Sequence, residues 1–312
     1  MGEPQSFYFS SSDSVHQCYA QEWLPDGPPV AVVQIVHGVS EHIGRYDRVA
    51  QFLAAHGFVV CGEDHLGHGR TASQEERGYF ARRNGWFLVT EDVRHLRRIQ
   101  GEKYPGIPYF LLGHSMGSFL TRTFLCRYPG TVDGAILSGT GQEPAPLVAG
   151  GKLLAGLLCA IQGERSISPL IYKLSLGAYN DKFKPTRTRA DWLSRDEAEV
   201  DRHLADPLCA FPSTSRMFQD MMGGLQYISS PSALANMDPE TPIYLFSGDS
   251  DPVGGMGKGV QTVHGYFKAH GTRDLTLKLY PQGRHEMLNE LNHQEVFDDL
   301  LSWLNAHIPD RR

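Results

Sequence analysis

A single serine-centred turn limits the folds open to this chain more than any other feature of its sequence. The apolar run at residues 109–112 is followed by Gly-His-Ser-Met-Gly at 113–117, and a stretch with helical character begins at once. A buried strand that turns directly into a helix at a serine between glycines is typical of a nucleophile elbow. The sequence therefore predicts an α/β fold with Ser115 as a nucleophile. The alternative is a glycine-rich turn whose serine only caps the helix.

Strand and helix patterns alternate on both sides of this turn. Before it the sequence predicts a hairpin at 7–24, strands at 30–36 and 58–61, and helices at 45–56 and 86–100. After it come strands at 132–138, 241–247 and 275–280 and a final helix at 292–307. Alternation of this kind indicates a mostly parallel sheet with helices on both faces.

Residues 140–238 interrupt the alternation, because they contain helical segments but no buried strand pattern. One segment is predicted to begin at a capping box at 194–197 and to end near Pro207. We therefore expect a helical cap at 140–238, inserted into a discontinuous core of 1–139 and 239–312. The apolar cap side chains are expected to line an acyl tunnel or touch a lipid surface, or else only to pack the cap on the core. They are Leu147, Val148, Leu153, Leu154, Leu157, Leu158 and Ile161.

The loops after the two late strands offer the partners that a nucleophilic serine needs. An acid and then a base follow the nucleophile in this architecture, each on a loop after a strand. His285 follows the strand at 275–280 and is predicted to be the base. Asp251 precedes a proline, which keeps its backbone out of a helix, and is predicted to be the acid. Asp249 on the same loop is the alternative.

The strand at 30–36 runs into His37-Gly38-Val39, the one His-Gly pair of five that ends a strongly apolar strand. A turn at this position can aim the Val39 N–H at a developing oxyanion beside the Met116 N–H. Both amides are predicted oxyanion donors. The alternative for this segment is a simple β-turn.

Composition and charge exclude several classes of protein. With 29 basic and 35 acidic residues the net charge is −6, so a nucleic-acid partner is not expected. Five scattered cysteines indicate free thiols in a reducing compartment, and residues 1–6 lack a signal-peptide pattern. The longest apolar run, 147–161, is short and interrupted by glycines, so no transmembrane segment is expected. A cytoplasmic protein, peripheral to membranes at most, is predicted.

The loop at 62–71 is rich in groups that bind metals, with Asp64, His65 and His68 close together. A matching fourth ligand and a metal-binding helix motif are missing from the sequence around them. We therefore predict a hydrogen-bonded loop at the rim of the site, with no metal and no cofactor.

The chain resembles α/β-hydrolases of the monoacylglycerol lipase and lysophospholipase group, over about residues 15–305. The likeness rests on HGVSEHIGRY at 37–46, DHLGHGR at 64–70, the elbow, GDSD at 248–251 and GRH at 283–285. It implies an eight-stranded core with a helical cap and supports Asp251 as the acid. It also implies that His37, Gly38, Glu41, His42 and His114 surround or support the reactive groups. Val39 and Ser40 stand where lipases of this group more often have a small residue and a glycine.

These residues together predict a serine carboxylic-ester hydrolase for monoacylglycerols, lysophospholipids or similar single-chain esters. Ser115 would form an acyl-enzyme, which water activated by His285 would hydrolyse. One alternative is another serine chemistry on the same fold, an acyltransferase or an aminopeptidase. The aminopeptidase would need an acidic anchor for a substrate amine, such as Glu197, Glu199 or Asp201. A non-catalytic ligand-binding protein is the third hypothesis.

Overall fold

Eight strands form one sheet in the computed structural model, which describes residues 2–308. They are β1 Gln5–Ser10, β2 Gln17–Trp23, β3 Ala31–Val36, β4 Phe58–Glu63, β5 Tyr109–His114, β6 Gly134–Ser138, β7 Ile243–Gly248 and β8 Leu275–Tyr280. Their order is β1-β2-β4-β3-β5-β6-β7-β8. The pairs β1–β2 and β2–β4 are antiparallel, and every other neighbouring pair is parallel. The predicted mostly parallel, eight-stranded α/β sheet is confirmed.

Helices cover both faces of the sheet. They are α1 Asp47–Ala55, α2 Gly85–Lys103, α3 Met116–Arg127, α4 Ala145–Gln162, α5 Pro169–Leu174, α6 Leu176–Tyr179, α7 Glu197–Ala205, α8 Ser215–Ile228, α9 Pro231–Leu234, α10 Lys258–His270 and α11 His293–Ala306. Buried side chains of α1 and α11 form one hydrophobic layer, and those of α2, α3 and α10 form the other. Their burial stabilises the fold by removing apolar surface from water.

Six helices, α4 to α9, lie between β6 and β7, where the helical cap was predicted. Met217, Leu225 and Ile228 of α8 belong to the same hydrophobic cluster as α3, whereas Trp192 and Val200 belong to a smaller, separate cluster. The division into a core at 1–139 and 239–312 and a cap at 140–238 stays a prediction. Residues 1 and 309–312 of the predicted core lie outside the described residues. We call residues 140–238 the cap below.

The predicted capping box at 194–197 is wrong. Helix α7 begins at Glu197, and the side chain of Asp196 accepts a hydrogen bond from the Ala198 N–H. Ser194 instead donates its hydroxyl to the Asn289 carbonyl, 2.9 Å away. A tertiary partner has therefore removed this serine from the helix end that it would otherwise cap.

The start of α3 lies unusually close to the end of β3, and glycine makes this approach feasible. A Cβ added to Gly117 would lie 1.9 Å from the Val36 carbonyl oxygen, well inside any permitted contact. A Cβ on Gly113 would lie 2.5 Å from the Gly117 carbonyl oxygen. The two glycines around Ser115 are thus required where strand and helix meet.

We expect Gly117→Ala to destabilise the protein by about 1–3 kcal/mol or more, since the clash is with backbone that cannot rotate away. Urea denaturation of the purified variant measures the change in the free energy of unfolding. Gly265→Ala is the matched control, because Gly265 lies within α10 and an added Cβ meets no atom within 4 Å. That substitution should stabilise the protein by about 0.5–1 kcal/mol. Equal effects of the two substitutions would contradict the steric explanation.

Candidate active site

Ser115 lies at the sharp turn between β5 and α3. Its backbone has φ 53° and ψ −121°, a conformation that costs a non-glycine residue free energy. Two hydrogen bonds hold the turn: the Ser115 N–H donates to the Ser138 carbonyl at 2.9 Å, and the Ser118 hydroxyl donates to the Ser115 carbonyl at 2.6 Å. The surrounding structure therefore enforces the strained backbone, and the serine side chain reaches the walls of two cavities.

His285 and Asp251 come together from the loops after β8 and β7. His285 Nδ1 lies 3.0 Å from Asp251 Oδ2, and both side chains are buried. The carboxylate is fixed by the Ser247 hydroxyl and the Val253 N–H, each at 2.9 Å. Asp249, the alternative acid, is exposed and accepts from the Gln282 N–H instead. Of the two carboxylates, Asp251 is the one that contacts the histidine.

The Asp251 carboxylate sets the protonation of His285. Burial lowers the pKa of His285, but the charge of Asp251 and its hydrogen bond outweigh burial and raise the pKa above its ordinary value. Because Nδ1 donates to the carboxylate, Nε2 is left to accept a proton. Ser115 and His285 line the same cavity, although no hydrogen bond among residues 2–308 joins the serine hydroxyl to the imidazole.

Val39 lies on the turn after β3, and Met116 is the first residue of α3. Both residues line the cavity that contains Ser115, and no hydrogen bond within residues 2–308 uses either N–H. Both amides are therefore available to a ligand group in this cavity.

His37 shapes the turn before Val39 by hydrogen bonds alone. Its Nε2 accepts the His65 N–H at 3.0 Å, so the ring proton is on Nδ1, which donates to the Gly38 carbonyl at 2.7 Å. The His37 and His65 rings stack with centroids 3.9 Å apart. Burial, aided by the His65 and His68 rings, holds the pKa of His37 well below its usual value. The neutral imidazole therefore acts as a fixed support for the turn.

Potential metal ligands in the loop at 62–71 form hydrogen bonds within the protein. Asp64 accepts from the Ile43 N–H at 2.8 Å and from the Arg70 N–H at 2.7 Å. His68 Nδ1 lies 3.0 Å from the Leu66 carbonyl. These groups connect the loop to the turn after β3.

A buried ion network, absent from the sequence analysis, joins the two sides of the site. Arg45 donates to Glu41 at 2.7 Å and makes two hydrogen bonds of 2.7 Å to Glu286, the residue after His285. Glu41 also accepts from the Gly38 N–H at 2.5 Å and from the Tyr46 hydroxyl at 2.7 Å. One guanidinium thus ties the turn before Val39 to the loop of His285.

The charge of Arg45 keeps both carboxylates of the network ionised. Burial opposes this, but the guanidinium lowers the pKa of Glu41 and that of Glu286 below the usual 4.5. The sequence contained one weak signal for these partners, since Arg45 falls within the motif at 37–46. The pairing with Glu286 spans 241 positions, which local patterns do not reveal.

The other predicted rim residues have distinct contacts. The His114 ring lies 4.7 Å from that of His285, and burial together with the His285 charge lowers the pKa of His114 to about 4. His42 contacts the cap, and its Nε2 lies 2.9 Å from Asp206. Ser40 has φ 57° and donates its hydroxyl to the Phe211 carbonyl at 2.7 Å. His42 and Ser40 therefore connect the turn to the cap.

Two cavities meet at Ser115. One, of about 380 Å³, is mainly apolar and extends under the cap between α4 and α8, with Leu154, Phe218 and Leu225 in its wall. The other, of about 270 Å³, carries the polar groups of His285, Glu286 and Arg45. The first cavity suits an apolar group, and the second combines apolar side chains with groups that can form hydrogen bonds. We call the second the polar cavity because it is the more polar of the two.

We expect Arg45→Met to destabilise the protein by about 3–5 kcal/mol at pH 7, because two buried carboxylates lose their counter-charge. The lowered pKa values of Glu41 and Glu286 make the network's contribution fully present above the unfolded pKa, and it is lost as the pH falls through the folded values. The difference between parent and variant should therefore shrink under acidic conditions. Urea denaturation at several pH values measures it.

The exposed pair Arg273–Glu240, whose side chains are 73% and 56% accessible, supplies the control for that experiment. Arg273→Met should change the free energy of unfolding by less than about 1 kcal/mol at any of these pH values. A comparable loss in both variants would show that charge burial is not the cause.

Known proteins resemble this chain over most of its length. A family model described as "Serine aminopeptidase, S33" matches residues 27–292. A monoacylglycerol lipase of Mycolicibacterium smegmatis is 31% identical over 291 residues, 92% of this chain and 92% of that protein. A monoglyceride lipase of Rattus norvegicus is 28% identical over 94% of this chain and 87% of its own. The crystal structure of a thermostable carboxyl esterase from Bacillus coagulans in complex with glycerol has a TM-score of 0.92 at 29% identity, covering 99% of this chain and 100% of that one.

Proposed function

Because this chain belongs to the α/β-hydrolase family whose model spans residues 27–292, and is a carboxylic-ester hydrolase of the monoacylglycerol lipase type, we propose that it cleaves single-chain esters through an acyl-enzyme on Ser115. Monoacylglycerols and lysophospholipids are the proposed substrates. The observation that carries the proposal is the wall of the polar cavity, where Ser115 and His285 both lie, with Asp251 hydrogen-bonded behind the imidazole.

The proposed reaction uses the residues in the order of a serine hydrolase. His285 Nε2 takes the Ser115 proton as the serine oxygen attacks the ester carbonyl. The oxyanion accepts hydrogen bonds from the Val39 and Met116 amides, and Asp251 stabilises the imidazolium. His285 then protonates the departing alcohol. Water, deprotonated by the same imidazole, releases the carboxylic acid.

The two cavities suggest which part of the substrate goes where. The acyl chain is proposed to fill the apolar cavity, because each buried methylene contributes about 0.8 kcal/mol. The alcohol part, a glycerol or a phosphodiester headgroup, is proposed to occupy the polar cavity near Arg45. Ser115 lies between the two groups, as cleavage of the bond that joins them requires.

An aminopeptidase has weaker support from the cap. The acids that were candidates for anchoring a substrate amine are already paired: Glu199 lies between two arginines, and Glu197 and Asp201 both pair with Arg187. Turnover of p-nitrophenyl esters, monoacylglycerols, lysophospholipids and amino-acyl amides tests the assignment, with Ser115→Ala as the inactive control. Amide turnover without ester turnover would overturn it, and acyl transfer to an added alcohol in preference to water would indicate an acyltransferase.

We expect Ser115→Ala to lower kcat about a millionfold and Asp251→Asn about ten-thousandfold, as in comparable triads. The neutral imidazole is the active form, so kcat/KM of the parent should fall as the pH drops through a His285 pKa above 6.5. In Asp251→Asn this acid limb should move to lower pH, since the charge that raises the pKa is gone. Steady-state kinetics between pH 5 and 9 measures both effects.

Asp249→Asn is the matched control for Asp251→Asn, because Asp249 lies on the same loop but is exposed and contacts the Gln282 N–H. It should leave kcat within about twofold of the parent and keep the same acid limb. A large loss in Asp249→Asn together with an active Asp251→Asn would exchange the two assignments.

We expect Leu154→Trp to shift the acyl preference towards shorter chains, by about tenfold in the kcat/KM ratio of a long to a short p-nitrophenyl ester. Leu154 faces the apolar cavity, so the larger ring occupies space that a long chain would fill. Leu157→Trp, on the exposed side of the same helix, should leave that ratio unchanged. The same ratio in parent and Leu154→Trp would argue against an acyl site in this cavity.

The outer surface of the cap suggests contact with lipid. Helix α4 exposes Leu153, Leu157 and Ile161, which are 67%, 52% and 78% accessible, and α5 adds Leu174. Among the described residues α4 is the one helix long and apolar enough to cross a bilayer by length and composition alone, which the sequence analysis did not anticipate. We propose that this face rests on a lipid surface while substrate enters.

Replacing Leu153, Leu157 and Ile161 together by Ser should weaken binding to phosphatidylcholine vesicles at least tenfold, because each exposed side chain loses apolar contact with acyl chains. Co-sedimentation measures the binding. Turnover of a water-soluble p-nitrophenyl ester should remain at the parental level, since these side chains lie outside both cavities. Vesicle binding equal to that of the parent would contradict the proposal.

A further inference from the structure

A histidine, a carboxylate and a thiol meet where the cap contacts the turn after β3. Ligand atoms of His42, Asp206 and Cys209 all lie within 4.8 Å of one another. We propose that these three residues form a binding site for a divalent ion of borderline softness, with Zn²⁺ as the best match. This inference goes beyond ester hydrolysis and does not depend on it.

The cap side of this site is already organised by hydrogen bonds. The Cys209 N–H donates to the Asp206 carbonyl at 3.0 Å, which closes a four-residue turn and sets the spacing of the two side chains. Asp206 Oδ1 accepts the Leu208 N–H at 2.8 Å, so Oδ2, which now lies 2.9 Å from His42 Nε2, is the oxygen that would bind an ion. Hydrogen bonds that orient a ligand in this way are typical of metal sites.

The turn is also fixed relative to His42. The Ala210 N–H donates to the Ser40 carbonyl at 3.0 Å, and the Ser40 hydroxyl donates to the Phe211 carbonyl at 2.7 Å. These bonds hold the cap loop against the core two residues before His42. The three ligands thus come from segments whose separation is already set before an ion binds.

The ligand set suits zinc in chemistry and charge. Zinc binds imidazole nitrogen, thiolate sulfur and carboxylate oxygen with tetrahedral geometry, and a water completes three protein ligands. One thiolate and one carboxylate neutralise the two positive charges of Zn²⁺. This neutralisation suits a buried site, and Cys209 is only 6% accessible. Typical bond lengths place zinc ligands about 3.3–3.8 Å from one another. The widest pair here must close by about 1 Å.

Binding of the ion would release one proton and move another. The Cys209 thiol loses its proton to solvent. His42 now holds a proton on Nε2, which lies 2.9 Å from Asp206 Oδ2, while Nδ1 accepts the Gly44 N–H at 3.2 Å. When Nε2 binds the ion, that proton moves to Nδ1 and the Gly44 amide turns to water. Binding therefore releases one proton per ion and costs two hydrogen bonds, His42–Asp206 and Gly44–His42.

Binding should have a measurable effect on the whole protein. The ion would link the core segment next to Val39 to the cap loop by coordinate bonds, in place of the His42–Asp206 hydrogen bond. Because a ligand that binds only the folded state stabilises it, Zn²⁺ should raise Tm. The side chains of His42 and Asp206 are 15% and 30% exposed, which leaves a path for the ion.

The test uses the full chain, reduced and stripped of metal with a chelator that is then removed. Calorimetric titration with ZnCl₂ should give one ion per chain. Thermal unfolding should show a higher Tm with ZnCl₂ than without it, and EDTA should reverse this rise. With CdCl₂ in place of zinc, a thiolate-to-metal absorption band should appear in the ultraviolet. Cys209→Ser should remove this band, and Asp206→Asn and His42→Gln should each weaken zinc binding about tenfold or more.

Cys159→Ser is the matched control, because Cys159 is a half-buried thiol on α4 outside the cluster, and it should keep the parental affinity and band. The Tm shift is compared with and without zinc within each variant, so a variant of lower basal stability still gives a result. The absence of stoichiometric binding would overturn the proposal. So would equal binding in Cys209→Ser and the parent, or loss of the band in Cys159→Ser.

Discussion

The close approach of the α3 N-terminus to the end of β3 is the constraint on which the site depends. With Gly117 against the Val36 carbonyl, the first turn of α3 lies directly beside the turn that follows β3. This contact brings the Met116 amide close to the turn of Val39, which the His37 and Glu41 side chains hold in place. Ser115 lies at the same junction, and hydrogen bonds of its own N–H and carbonyl hold its strained backbone.

The buried ion network around Arg45 is a second constraint on the site, in addition to the backbone packing. The Arg45 guanidinium is buried between two carboxylates, one on the turn after β3 and one beside His285. Each carboxylate would be costly to bury alone, and the shared cation makes both tolerable only when the two loops are in register. The network therefore joins the turn of Val39 to the loop of His285, two segments that follow different strands of the sheet.

The sequence predicted most of what depends on local pattern. β8 has the predicted bounds, the hairpin and the alternation of strands and helices along the chain are as expected, and Asp251 contacts His285 whereas Asp249 does not. The predicted capping box failed because the distant Asn289 carbonyl binds the Ser194 hydroxyl. The pairing of Arg45 with Glu286 also depends on a distant partner, and the sequence analysis made no prediction of it. The sequence did not show which apolar residues of α4 face a cavity and which face solvent. That division depends on the packing of α8 and not on periodicity alone.

The two cavities share Ser115 in their walls but differ in lining, and this separation has a consequence for the course of the proposed reaction. After the first bond is cleaved, the alcohol fragment can leave the polar compartment while the acyl group still fills the apolar one. The vacated volume lies beside His285, where the incoming water must be deprotonated. The fragments would therefore depart in a fixed sequence, alcohol before acid, and an acid still held in the apolar compartment would delay the next encounter with substrate.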